Sequence, residues 1–116
     1  MLSQPDGSSI VNIRSVHAPR IASYAASKEA IAALTATLAV EWADCCIRVN
    51  AIAAGYFPTD LESGAPGQQM GAGHPAATAR AHRQGGRARP SGRVLLSDES
   101  AYVTGTAISA DGDWRA

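Results

Sequence analysis

The chain reads as an α/β domain, and three stretches of its sequence predict this. They are a β-branched run closed by a hydroxyl, an alanine-rich segment with helical apolar spacing, and a second β-branched run followed by glycine and proline. The first, Gly7-Ser8-Ser9-Ile10-Val11-Asn12-Ile13-Arg14-Ser15, opens on turn residues and predicts a buried strand near Ser9–Ile13 that ends in Ser15. In the second, Ile31, Leu34, Leu38 and Trp42 recur at helical intervals among residues of high helix propensity, which predicts a helix over Ser23–Ala43. The third predicts a strand over Ile47–Ala53, with Gly55-Tyr56-Phe57-Pro58-Thr59-Asp60 as a loop at its carboxyl end. Strand, helix and strand in that order form a right-handed parallel unit.

The helix carries the residues with the most chemistry. Tyr24 and Lys28 are four apart in Tyr24-Ala25-Ala26-Ser27-Lys28, so they share one helix face. A cation beside a phenol favours its ionised form and makes it usable as a general acid or base. The same spacing also describes an ordinary solvated helix face, and the pair alone does not decide between the two. Gly55 and Thr59 are equally open on local grounds, as a turn glycine and a turn or N-cap hydroxyl.

Taken together, the ordered motifs resemble those of the short-chain dehydrogenase/reductase family. The matching pieces are I-V-N-I-x-S ending at Ser15, Y-x-A-S-K at Tyr24–Lys28, E-W-A, I-R-V-N-A-I-A and G-Y-F-x-T-D. Ser97–Thr106 with Asp111-Gly112 matches the family's C-terminal strand and its approach. In wording the chain is most similar to the gluconate and glucose type of sugar dehydrogenase. The resemblance implies a partial Rossmann-like, doubly wound parallel sheet of three C-terminal strands, near Ser9–Ile13, Ile47–Ala53 and Thr106–Ala110, plus one long helix. The N-terminal half of the family fold is absent from these residues. One sheet face is therefore expected to lack helices, and the first strand to expose its edge.

The resemblance also implies a chemistry: hydride transfer between NAD or NADP and an alcohol, ketone or sugar. Tyr24 is then the proton donor and acceptor for the substrate oxygen, Ser15 holds that oxygen, and Lys28 supports Tyr24 and hydrogen-bonds the nicotinamide ribose. Gly55 brings bare backbone to the nicotinamide end of the cofactor, and Thr59 hydrogen-bonds there. The helix over Ser23–Ala43 is implied as a homo- or hetero-oligomer interface, its small face being Ala26, Ala30, Ala33 and Thr37. The sequence departs from the family pattern in several places. Arg14 stands where the family has a small residue, Cys46 where it commonly has glycine, Ala54 where it has proline and Asp113 where it has glycine. The Ser15–Tyr24 loop is shorter than usual. Asn12 and Asn50 do not occupy the place of the family's catalytic asparagine.

Dinucleotide binding in such sheets depends on a glycine-rich turn between the first strand and its helix. No such strand, turn and helix can be read here. Gly71-Ala72-Gly73-His74-Pro75-Ala76 fits G-x-G-x-x-A in letters only, because it follows Gln68-Gln69-Met70 and contains a proline. The chain alone is thus expected to be inactive, and the alternative reading is a non-catalytic fragment that pairs with an intact relative through the Tyr24 helix.

Composition divides the chain into a strand-helix-strand segment over residues 1–63, a Gly/Ala/Arg-rich segment over 64–93 and a strand segment over 94–116. The middle segment has no acidic residue and no Leu, Ile, Val or aromatic, so disorder or loose helix is expected there. Its arginines, Arg80, Arg83, Arg87, Arg89 and Arg93, lack interleaved aromatics for base stacking, which argues against a nucleic-acid site. Net charge is formally zero. The adjacent Cys45 and Cys46 suit neither an ordinary disulfide nor, with His17, His74 and His82, a metal site. The longest apolar run, Ala30–Val40, is too short to span a bilayer, and Met1–Ser9 has no signal-peptide pattern; a cytoplasmic location is expected.

Overall fold

The computed structural model describes residues 7–15, 22–55 and 89–111. The elements are β1 (Ser8–Ser15), α1 (Ala22–Glu41), β2 (Ile47–Ala54), α2 (Arg89–Leu96) and β3 (Ala107–Ala110), with short 3-10 turns at Ala43–Cys45 and Asp98–Ser100. The strands form one parallel sheet in the order β1-β2-β3. β1 and β2 pair from Ser8 with Ile47 to Ser15 with Ala54. β3 pairs from Ala51 with Ala107 to Ala54 with Ala110.

Strand alternation decides what meets each helix. Ile10, Asn12 and Arg14 of β1 lie on one sheet face with Ile47, Val49, Ala51 and Ala53 of β2. On that face Ala39, Ile47 and Val49 form a buried cluster against which Ile10, Leu38, Trp42 and Cys45 pack, and the amide of Asn12 donates to the Thr35 hydroxyl at 3.0 Å. Thr35 in turn donates to the Ile31 carbonyl at 2.7 Å, so a buried hydroxyl inside the helix has both a donor and an acceptor partner. Lys28, Ile31, Thr35 and Ala39 make the stripe that α1 turns toward the sheet, and Trp42 just beyond the helix continues it. Tyr24, Ala25, Ala32 and Leu38 flank that stripe half-buried, and the outward side is exposed and still mostly apolar, with Leu34 and Val40 among its residues.

The opposite face belongs to α2. There the Ser9 hydroxyl donates to the Leu95 carbonyl at 2.7 Å, Leu95 is fully buried, and Gly92 lies against Ile52. The expectation of a sheet face without helices is therefore corrected. The helix that covers it straddles the boundary expected at residue 93, and its Pro90 sits in the first turn, where a missing N–H costs no helical hydrogen bond. The remainder of the Gly/Ala/Arg-rich stretch, and Thr59, lie outside the described residues. Because β1, β2 and β3 advance in one direction while α1 and α2 lie on opposite faces, the two crossovers have opposite hands. The right hand is the strong norm for such connections, at about 98%.

Arg48 and Asn50 tie the C-terminal segment to the α2 face. Arg48 donates to the carbonyls of Leu95 and Ser97 at 3.0 Å each and to the Ser100 hydroxyl at 2.9 Å. Asn50, fully buried, donates to the Val103 carbonyl at 2.8 Å and accepts from the Thr106 amide at 3.2 Å. Thr104 and Gly105 extend the β3 contact beyond the strand itself: the Thr104 hydroxyl accepts from the Val49 amide, and the Gly105 amide donates to the Val49 carbonyl at 2.7 Å. A charged and an amide side chain inside a buried strand are tolerated because backbone groups satisfy them.

Candidate active site

Parallel strands place their carboxyl ends together, so Ser15, Ala54 with Gly55, and Ala110 with Asp111 share one end of the sheet. Ligands of open α/β sheets bind at that end. A cavity of about 470 Å³ lies at the other end, lined by Ser8, Ser9, Cys46, Ile47, Arg48 and Asp98 among others. It holds none of the expected site residues.

Tyr24 and Lys28 both fall in the first two turns of α1, half-buried, and the helical spacing expected of them is present. The Lys28 ammonium sits 5.6 Å from the centre of the Tyr24 ring, within the range of a cation–π contact. It also donates to the carbonyl of Ile13 at 3.2 Å. That bond ties α1 to the end of β1 two residues before Ser15, which closes the strand half-buried. Ser27 caps the Tyr24 carbonyl with its hydroxyl at 2.7 Å. Ser15, Tyr24 and Lys28 are thus held on two elements joined at the site itself.

Gly55 has a structural requirement that the sequence does not reveal. A Cβ on it would lie 2.6 Å from the Cα of Asp111, and its amide donates to the Ala110 carbonyl at 3.1 Å. The close approach that demands glycine here is thus to β3, whatever else the glycine also admits. Sequence reasoning missed two further features. Arg14 forms an ion pair with Glu29, the neighbour of Lys28. Asn12 and Asn50 are packing residues with filled hydrogen bonds. The signal for the latter was present, since polar residues alternating within an apolar strand must find partners.

A family profile described as enoyl-(acyl carrier protein) reductase matches residues 1–113. This chain belongs to the short-chain dehydrogenase/reductase family. It is 41% identical to 3beta-hydroxysteroid dehydrogenase 1 of Eggerthella lenta over 114 residues, which cover 89% of this chain and 42% of that protein. It is 34% identical to the 2-dehydro-3-deoxy-D-gluconate 5-dehydrogenase of Escherichia coli, covering 99% of this chain and 48% of that protein. Among solved structures, 4-hydroxyisoleucine dehydrogenase complexed with NADH superposes with a TM-score of 0.67 at 28% identity, over 92% of this chain and 46% of that one. The chain spans less than half the length of these relatives. No helix among the described residues is long and apolar enough to cross a membrane, and none of their His, Cys, Asp or Glu side chains form a group of three able to hold a metal ion.

Proposed function

We propose that this chain carries the proton-transfer groups of an NAD(P)-dependent oxidoreductase acting on a small alcohol, ketone or sugar. The observation that carries the proposal is the Tyr24–Lys28 pair at the carboxyl end of the sheet, tied to the strand that ends in Ser15. Bound nicotinamide dinucleotide supplies the hydride acceptor or donor. Tyr24 passes a proton to or from the substrate oxygen as the adjoining carbon gains or loses hydride, and the Ser15 hydroxyl donates to the same oxygen. Lys28 sets a positive charge where negative charge develops on the phenol.

The nicotinamide end of the dinucleotide fits the residues present. An ammonium has three N–H donors, and Lys28 spends one on the Ile13 carbonyl, leaving two for ribose hydroxyls. Gly55 and Thr59 are proposed to meet the carboxamide end. Among the described residues no glycine-rich turn joins a strand to a helix, and none of them is assigned to the pyrophosphate.

The test is titration with NADH and NADPH followed by nicotinamide fluorescence, with Tyr24→Phe alongside. Saturable binding that Tyr24→Phe keeps, with turnover lost in that variant, supports the enzyme reading over the expectation of a chain inactive alone. Well-folded protein that fails to bind at millimolar dinucleotide overturns it.

One observation favours a second reading, in which the chain acts by association. The outward side of α1 exposes Ala26, Ala30, Ala33, Leu34, Thr37 and Val40, with charge only at Glu29 and Glu41. An outward helix face so largely apolar is normally covered. Small residues there permit close helix contact with a second copy or an intact relative. Ala33→Arg is expected to convert an oligomer to monomer in sedimentation velocity; unchanged mass refutes this reading.

A further inference from the structure

We propose that Arg14 and Glu29 are positioning residues for Lys28. Ile13 and Arg14 are consecutive on β1, and Lys28 and Glu29 are consecutive on α1. Two links join these neighbours in opposite senses: Lys28 donates to the Ile13 carbonyl, and Arg14 donates to the Glu29 carboxylate. A single link leaves the helix free to pivot about it, whereas two adjacent links fix both the distance and the rotation of the first turns of α1 against the strand end.

The two members of the pair differ in a way that assigns their work. The Arg14 side chain is 13% exposed and its Nε is buried without a partner among the described residues, while Glu29 is 65% exposed. A cation so enclosed depends on its counter-charge to remain there. Glu29 keeps Arg14 in the helix–strand seam, and Arg14 in that seam keeps Lys28 on the Ile13 carbonyl and over the Tyr24 ring. An ordinary ion pair between two solvated side chains has little such leverage. The effect on Lys28 geometry stands on these contacts alone; its effect on turnover rests on the function proposed above.

Lys28 is the only lysine in the chain, so amine chemistry at a lysine reports on it alone. The experiment measures the rate of reductive methylation at Lys28 by peptide mass mapping in wild type, Arg14→Met, Glu29→Gln and the charge-exchanged double variant Arg14→Glu/Glu29→Arg. Circular dichroism accompanies each sample. Glu29→Gln changes an exposed side chain and is the variant least able to disturb folding. The expected result is a rate about threefold to tenfold faster in both single variants, with recovery toward wild type in the exchanged pair. Where the protein turns over, kcat falls by a similar factor with substrate KM unchanged. Equal Lys28 rates in all four proteins with α1 intact overturn the proposal. In a wild type without turnover the methylation rates alone decide the positioning role, and dinucleotide binding decides the enzyme reading separately.

Discussion

Cys46 offers the sharpest test of the local reasoning. It has φ 56° and ψ 31°, the left-handed region, immediately after the 3-10 turn at Ala43–Cys45. Two backbone hydrogen bonds hold it there: its amide donates to the Ala43 carbonyl at 3.0 Å, and its carbonyl accepts from the Ser8 amide at 3.1 Å. It cannot relax without giving up the start of the β1–β2 pairing. A residue with a Cβ is disfavoured in this region by about 1–2 kcal/mol. Glycine removes that cost but gains freedom in the unfolded chain worth about 0.5–1 kcal/mol. The Cys46 side chain is exposed, so little burial is lost. Cys46→Gly should therefore stabilise by about 0.5–1 kcal/mol, read as a rise of about 3–5 °C in melting temperature or as a higher urea midpoint at constant slope. Cys46→Ala removes the thiol and keeps the Cβ, and should stay within about 0.5 kcal/mol of wild type. If alanine stabilises as much as glycine, the gain comes from losing sulfur and the conformational argument fails.

Other outcomes follow from single contacts. Gly55→Ala drives a Cβ into the backbone of Asp111 and should cost about 1–3 kcal/mol in urea denaturation, independently of any dinucleotide. Asn50→Ala leaves the Val103 carbonyl and Thr106 amide without their side-chain partners and should cost about 1–3 kcal/mol, with faster hydrogen exchange at Thr106. Arg48→Met keeps the side chain's apolar stem and removes its bonds to Leu95, Ser97 and Ser100; limited proteolysis should then cut first between Leu96 and Thr104.

Much of this architecture could be read from local pattern. The β1–α1–β2 unit follows from β-branched runs on either side of a helix-spaced alanine segment, with helix ends displaced by one or two residues. The Tyr24–Lys28 relation was legible because helical periodicity alone puts residues four apart on one face. α2 was not, for a physical reason. Arg89-Pro90-Ser91-Gly92-Arg93 has almost no apolar signal, and its helix is held by what it meets: Leu95 under the sheet, the Ser9 hydroxyl and the Arg48 guanidinium on the Leu95 carbonyl. Those partners lie many residues away in the chain, so no local window contains them. The Arg14–Glu29 pair is hidden for the same reason, because a departure from a small residue at position 14 gains meaning only when Glu29 is seen across the seam. The reason for glycine at position 55 likewise sits in β3.

The two clamps on the sheet also fix where the chain leaves it and where it returns. The chain leaves β2 at Gly55, where its amide is bonded to Ala110, and it returns through α2, where Ser9 and Arg48 grip the Leu95 carbonyl. A foreign segment spliced between Gly55 and Arg89 would enter and leave at fixed points, while Ser15, Tyr24 and Lys28 stay on elements that the splice does not touch. The sheet thus sets the points of departure and return independently of the groups carried on β1 and α1.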